Sequence, residues 1–309
     1  MAPWAGLPTE QRNEASARID EAPTAEMLRI MNREDASVAA AVEKELDQVA
    51  RAVELVVRAL RENGRLFYIG AGSSGRLGVL DAAECPPTFN TDPEMVQAVI
   101  AGGPEAVFAP VEGAEDKADS GAGELRRRQV GTGDCVMGIA ASGVTPFVLG
   151  GLGEARARGA STILLTCGVP GQEGPGVDVR IAPQVGPEVV TGSTRLKAGT
   201  ATKMVLNMIS TAAMIRLGKT LGNLMVDLQP GNAKLRDRSL RILQMVTGIT
   251  REASEASLRA AGGDLKVAIV MKLCRVGRSR AAALLVEHEG RIREVVGHGE
   301  RSRSGVASP

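Results

Sequence analysis

Two patterns alternate along the chain. Short runs that are apolar at every position are separated by longer stretches in which apolar residues return every three or four positions. Leu66-Phe67-Tyr68-Ile69 is the clearest run, continuous as in a strand covered on both sheet faces, and Gly70 ends it. Met95 to Ile100, Asp134 to Ala140, Ser161 to Thr166 and Val179 to Ala182 are expected as four further strands. Thr24 and Asn32-Arg33-Glu34-Asp35 read as helix starts. Val38, Val42, Leu46, Val49, Val53, Val56 and Leu60 then mark one long amphipathic helix, stopped by Asn63-Gly64. Helices over Ala122 to Arg128 and Phe147 to Arg158 separate later strands. Leu196 to Leu217, with Met204, Met208 and Met214, predicts a helix buried in the domain or at a subunit interface. The alternation implies an α/β fold, a doubly wound five-stranded parallel sheet.

Beyond Asn232 the pattern shortens into helices with clear stops. Thr250 and Asp264 are expected N-caps, and Gly262-Gly263 ends a helix. The expected organisation is an α/β domain with N-terminal helices over 1–231, a small all-helical appendage over 232–296, and a frayed tail over 297–309.

Four turns carry candidate chemistry. Ala71-Gly72-Ser73-Ser74-Gly75 turns the first strand into a helix, whose first N–H groups and positive dipole end favour an anion. Gly70 and Gly72 allow close backbone approach, and the Ser73 and Ser74 hydroxyls can donate to phosphate oxygens. The stretch from Ala140 through Ser142 and Thr145 to Pro146 repeats this design after the third strand. Thr191-Gly192-Ser193-Thr194-Arg195-Leu196-Lys197 adds hydroxyls and two cations ahead of the apolar helix. Glu112-Gly113-Ala114-Glu115-Asp116 gathers three acids, and Glu84 stands before Pro86-Pro87, whose rings restrict the backbone. Each turn can also be an N-cap or tight turn without a ligand, and the acids can be a solvated face.

Two rival readings of the first turn weaken on inspection. Gly70, Gly72 and Gly75 match the dinucleotide fingerprint, but the second strand ends in Ala101-Gly102-Gly103 without the ribose-binding acid. No Lys follows the third glycine, which argues against a nucleotide triphosphate.

Composition narrows the classes. Among 309 residues, 37 Lys and Arg balance 36 Asp and Glu, and aromatics are 2%. With neither a basic field nor stacking platforms, no nucleic-acid partner is expected. No apolar run reaches the roughly 18 residues of a spanning helix, and no leader pattern opens the chain, so a cytoplasmic protein without a membrane partner is expected. Cys85, Cys135, Cys167 and Cys274 are spread without a C-x-x-C pair and read as reduced, mostly buried thiols. Only His288 and His298 occur, in polar sequence, so a His metal cluster is not expected and acid–base work falls to carboxylates.

GAGSSGRLGVLDAAECPPTF, VEGAED, AASGVTP, EVVTGSTRLKAGTATK and GNLMVDLQPGNAKL, in this order, closely resemble the N-acetylmuramic acid 6-phosphate etherases of the sugar isomerase (SIS) superfamily. The likeness runs from Thr9-Glu10-Gln11-Arg12-Asn13 to near Val296. It implies a SIS domain, a phosphorylated amino sugar as substrate, cleavage of a lactyl ether, no metal or redox cofactor, and a homodimer with sites near the interface. By motif, Glu84 corresponds to the acid, and Glu115 to the base or water activator. Gly72, Ser73, Ser74, Ser142, Thr145, Ser193 and Thr194 would hold phosphate and sugar, with Lys197 a weaker candidate. Val144 and Phe147 replace a basic residue and a tyrosine, which is expected to alter contacts at the sugar rim, and Pro230-Gly231 departs from the pattern near a helix boundary. The superfamily also holds non-catalytic sugar-phosphate sensors similar to glucokinase regulatory proteins, and aldose–ketose isomerases, which generally need a ring-opening base.

Overall fold

The computed structural model describes residues 6–168, 176–228 and 233–297. Its elements are helices α1 (Thr24–Ala36), α2 (Val38–Glu43) and α3 (Leu46–Arg61), then β1 (Leu66–Gly70), α4 (Gly72–Phe89) and β2 (Val96–Ile100). Next come α5 (Ala118–Arg127), β3 (Cys135–Ile139), α6 (Pro146–Ala157), β4 (Ser161–Leu165), β5 (Val179–Ile181) and α7 (Lys197–Arg216). A hairpin of β6 (Thr220–Leu221) and β7 (Leu224–Met225) leads to α8 (Ala233–Thr247), α9 (Arg251–Ala260), α10 (Leu265–Cys274) and α11 (Arg278–Glu287). Residues 292–297 are helical.

All five expected strands form, each within a residue or two of its expected ends, and pair in one parallel sheet of order β2-β1-β3-β4-β5. Every residue of β1 and β3 is buried, as continuous apolar runs require when both faces are covered. Phe67, Ile69, Val136 and Leu164 pack with Leu125, Phe147, Val148 and Leu152 in one core. Cys135 and Cys167 lie in this buried interior, and burial pushes both thiols up to about 12, so neither supplies a thiolate nucleophile near neutral pH.

The expected long amphipathic helix is instead broken twice, at Ser37 and at Lys44-Glu45. Asn32–Asp35 lies inside α1 rather than starting a helix. The apolar spacing from Val38 to Leu60 runs across the break at Lys44-Glu45, so the period alone does not reveal that one. The stop at Asn63-Gly64 forms as expected, with Asn63 left-handed at φ 61° and Gly64 N–H donating to Ala59 O at 2.8 Å.

Two compact units divide the chain: residues up to 83 with 93–211, and 84–92 with those from 212 onward. The expected boundary at 231/232 and the Pro230-Gly231 pair lie outside the described residues, as does most of the expected tail. In the second unit, Leu240, Leu243, Leu258, Ala268, Ile269, Ala281 and Leu285 bury one helical core. Thr250 and Asp264 cap α9 and α10, accepting from Ala253 N at 3.3 Å and Val267 N at 2.9 Å. Among the described residues no helix is long and apolar enough to cross a membrane.

Candidate active site

In a sheet of this order the connections from β1 and β3 leave in opposite directions, and the carboxyl ends of these two strands frame a crevice. Gly70 pairs with Ile139 in that register. A cavity of about 570 Å³ opens there, lined by Ala71–Ser74, Ile139, Ser142, Val144–Pro146, Glu115, Asp116, Gly192 and Thr194. Leu7, Thr9 and Glu10 form another wall.

The β1–α4 turn is shaped by its glycines, though not all in the expected way. Gly72 adopts φ 52°, the left-handed region, with open space where a Cβ would stand. A Cβ on Gly70 would lie 2.7 Å from Gly75 N, and one on Gly75 would lie 2.6 Å from Ile100 Cγ1. Gly70 therefore lets strand and helix pack, while Gly72 lets the backbone turn toward the cavity. Ser73 and Ser74 then occupy the first turn of α4, where N–H groups lack intrahelical acceptors.

Across the crevice, Thr145 is the N-cap residue of α6 and Pro146 its first helical residue. The Thr145 hydroxyl makes no capping bond, which leaves it to face the cavity. Gly143, at φ 79°, makes the preceding turn and brings Ser142 to the same lining. Glu115 is fixed from the same side, because Phe147 N–H donates to Glu115 O at 2.9 Å. Close packing of α5 and α6 reinforces this placement: a Cβ on Gly121 would lie 1.9 Å from Phe147 O. Three carboxylates thus line the cavity, Glu10, Glu115 and Asp116. Glu112 instead lines an adjoining hollow of about 240 Å³ with Arg76, Gly72 and Glu115.

Residues 48–156 match the family model of the glucokinase regulatory protein N-terminal SIS domain. The chain is 54% identical over 270 residues to the N-acetylmuramic acid 6-phosphate etherase of Symbiobacterium thermophilum, covering 87% of this chain and 90% of that one. It is 50% identical over 286 residues to the etherase of Rhodopirellula baltica, with 93% and 95% covered, and 51% identical over 288 residues to that of Cutibacterium acnes, with the same coverage. The chain belongs to the N-acetylmuramic acid 6-phosphate etherase family.

The etherase motifs fall into two groups in the structure. Gly72, Ser73, Ser74, Ser142, Thr145, Thr194 and Glu115 share the cavity. Ser193, Lys197 and Glu84 do not line it. Lys197 is 3% exposed, and its Nζ lies 2.6 Å from Glu34 Oε2. Its own N–H and that of Ala198 both donate to the fully buried Glu188. The first two N–H groups of α7 are therefore already taken by a carboxylate of its own chain.

Glu84 is exposed on α4, in the stretch that belongs to the second compact unit. Val144 lines the cavity, but Phe147 is 2% exposed and packs in the core, so its difference from tyrosine does not reach the rim as expected.

The N-terminal wall went unassigned by sequence reasoning. Gly192 N–H donates to Thr9 O at 3.0 Å, Asn13 Nδ2 donates to Glu34 Oε2 at 2.7 Å and to Pro187 O at 3.1 Å, and Ser16 Oγ donates to Val189 O at 2.7 Å. These bonds seat Leu7, Thr9 and Glu10 against the Gly192–Thr194 turn. The available signal was the Thr9–Asn13 stretch, which matches the etherases without an obvious chemical task. His288 lies near Glu294 at 3.9 Å, and His298 is outside the described residues. Among the described residues no group of His, Cys, Asp and Glu is arranged to hold a metal ion.

Proposed function

We propose that this chain cleaves the D-lactyl ether of N-acetylmuramic acid 6-phosphate to N-acetylglucosamine 6-phosphate and D-lactate, in the cytoplasmic recycling of cell-wall amino sugars. The observation that carries the reading is identity near 50%, over some nine-tenths of the chain, to relatives named for this activity. The cavity adds support, because two hydroxyl-bearing turns and Glu115 meet at one strand-end crevice.

The phosphate sits at the start of α4, bonded by Ser73 and Ser74 and met from across the crevice by Ser142 and Thr145. The Gly192–Thr194 turn bounds the sugar. Opening the sugar to its aldehyde acidifies the C2 proton, which Glu115 removes. The electron pair moves into a C2–C3 double bond as the C3–O bond breaks, and Glu84 protonates the departing ether oxygen to give lactate. Water then adds at C3, and C2 regains a proton, leaving the hydroxyl of the product. Two carboxyl groups suffice for this sequence, without metal or redox help.

The proposed working form is a homodimer in which one protomer supplies Glu84 to the other's cavity. An exposed face beside Ser73 suits such pairing: a hollow of about 480 Å³ lined by Leu77, Leu80, Met204, Arg76, Arg195 and Lys203, with Leu80 50% exposed one turn before Glu84. Incubation of the purified protein with N-acetylmuramic acid 6-phosphate, with D-lactate as the readout, tests the activity. Binding of the sugar phosphate without lactate release would instead favour a sensor.

A further inference from the structure

The end of α4 is weakened by its own sequence. Pro86 and Pro87 lie inside the helix and have no N–H, so the bonds that would run to the carbonyls of Ala82 and Ala83 are missing. The boundary between the compact units falls at this point, and Glu84–Asp92 belongs with the C-terminal helices. Cys85 and Phe89 are buried there, 2% and 8% exposed, while Glu84 is exposed.

A charged cluster of the C-terminal unit grips the segment. Asn90 ends the helix in the left-handed region at φ 51°, with its N–H on Pro86 O at 2.9 Å. Its side-chain amide donates to Asp227 Oδ1 at 3.4 Å, and its carbonyl accepts from Lys219 Nζ at 3.5 Å. Asp227 Oδ2 binds both Lys219 Nζ and Lys266 Nζ, each at 3.1 Å. Lys266 is 8% exposed and also donates to Gly218 O at 3.0 Å. Val226 and Leu228, on either side of Asp227, are buried in the helical core. Asp227 is thus rooted in the C-terminal unit and reaches the residue that stops α4.

We propose that Asp227, with Lys219 and Lys266, is a positioning centre that fixes the proline-interrupted end of α4, and that holding Glu84 in its working orientation is the C-terminal helical unit's contribution to the reaction. This rests on the assignment of Glu84 as the acid. A loosened acid loses proton transfer at the transition state while the phosphate stays seated on Ser73 and Ser74, so the loss appears in kcat rather than KM.

The test is a double-mutant cycle on lactate release in the full-length protein. Asp227→Asn should lower kcat roughly 10- to 100-fold with KM little changed, and should add no further loss in a Glu84→Gln background. Asn90→Gly, which keeps a residue suited to positive φ and removes the tether, should act the same way, and it decides the matter if Asp227→Asn fails to fold. Wild-type kcat in both variants while Glu84→Gln is impaired, or losses that multiply with that of Glu84→Gln, would overturn the inference. A fully active Glu84→Gln, or a wild-type protein that releases no lactate, would remove the reading beneath it and the inference together.

Discussion

Glu188 accepts hydrogen bonds from the backbone N–H groups of Lys197 and Ala198, each at 2.9 Å, while the Lys197 side chain runs to Glu34. One buried lysine is thereby held at both its backbone and its ammonium, and α1 is tied to the start of α7. The hydrogen bond from Lys197 holds the Glu34 carboxyl below its ordinary value of 4.5. Because the folded value is the lower one, the pair stabilises the fold above the unfolded value, and that contribution is lost as pH falls through the folded value. Lys197→Met should therefore cost roughly 1–3 kcal/mol near neutral pH, less than a fully buried pair because Glu34 retains solvent contact. Urea titrations at neutral and strongly acid pH check this. A stability difference that does not shrink in acid would contradict it.

Ser73 and Glu115 line one cavity, and the proposed mechanism gives them different tasks that kinetics separate. Ser73→Ala, which removes the proposed phosphate donor, should raise KM with kcat little changed. Glu115→Gln should lower kcat roughly 10²- to 10⁴-fold with the fold intact. Equal effects on both parameters from both variants would mean that the two side chains do not divide binding from proton transfer.

The proposed dimeric site, with Glu84 and Glu115 from different protomers, predicts complementation. Glu84→Gln and Glu115→Gln should each be nearly inactive alone, and co-expression should restore about a quarter of wild-type activity, because half of randomly paired dimers carry one intact site of two. No recovery, with mixed dimers demonstrated by differently tagged copies, would place both carboxylates in one chain.

Gly75 predicts a packing cost rather than a chemical one. A methyl group there would lie 2.6 Å from Ile100 Cγ1 and 2.9 Å from Gly70 O, so Gly75→Ala should destabilise the protein by about 1–3 kcal/mol. Thermal unfolding measures it, and an unchanged midpoint would show that β2 yields without strain.

The strands were legible because a fully covered sheet demands unbroken apolar runs, and Leu66 to Ile69 is one. The serine turns were legible because a strand followed by Gly and hydroxyl residues states its own geometry. The break at Lys44-Glu45 was not, since the apolar spacing continues through it. The short β6–β7 hairpin was missed because two-residue strands carry no periodicity. Lys197 read as a phosphate cation because its partner Glu34 lies 163 residues away. The wall of Leu7, Thr9 and Glu10 was hidden for the same reason, its place being set by Thr9 meeting Gly192 across the chain. Local chemistry was visible, and its long-range partners were not.

The most direct measurement is product analysis after incubation with N-acetylmuramic acid 6-phosphate in ¹⁸O-labelled water. Elimination and rehydration break the bond between C3 and the ether oxygen. D-lactate and N-acetylglucosamine 6-phosphate should therefore form in equal amounts, with the new label at C3 of the sugar. Absence of lactate, or label entering at the carbon of lactate that bore the ether, would contradict the account.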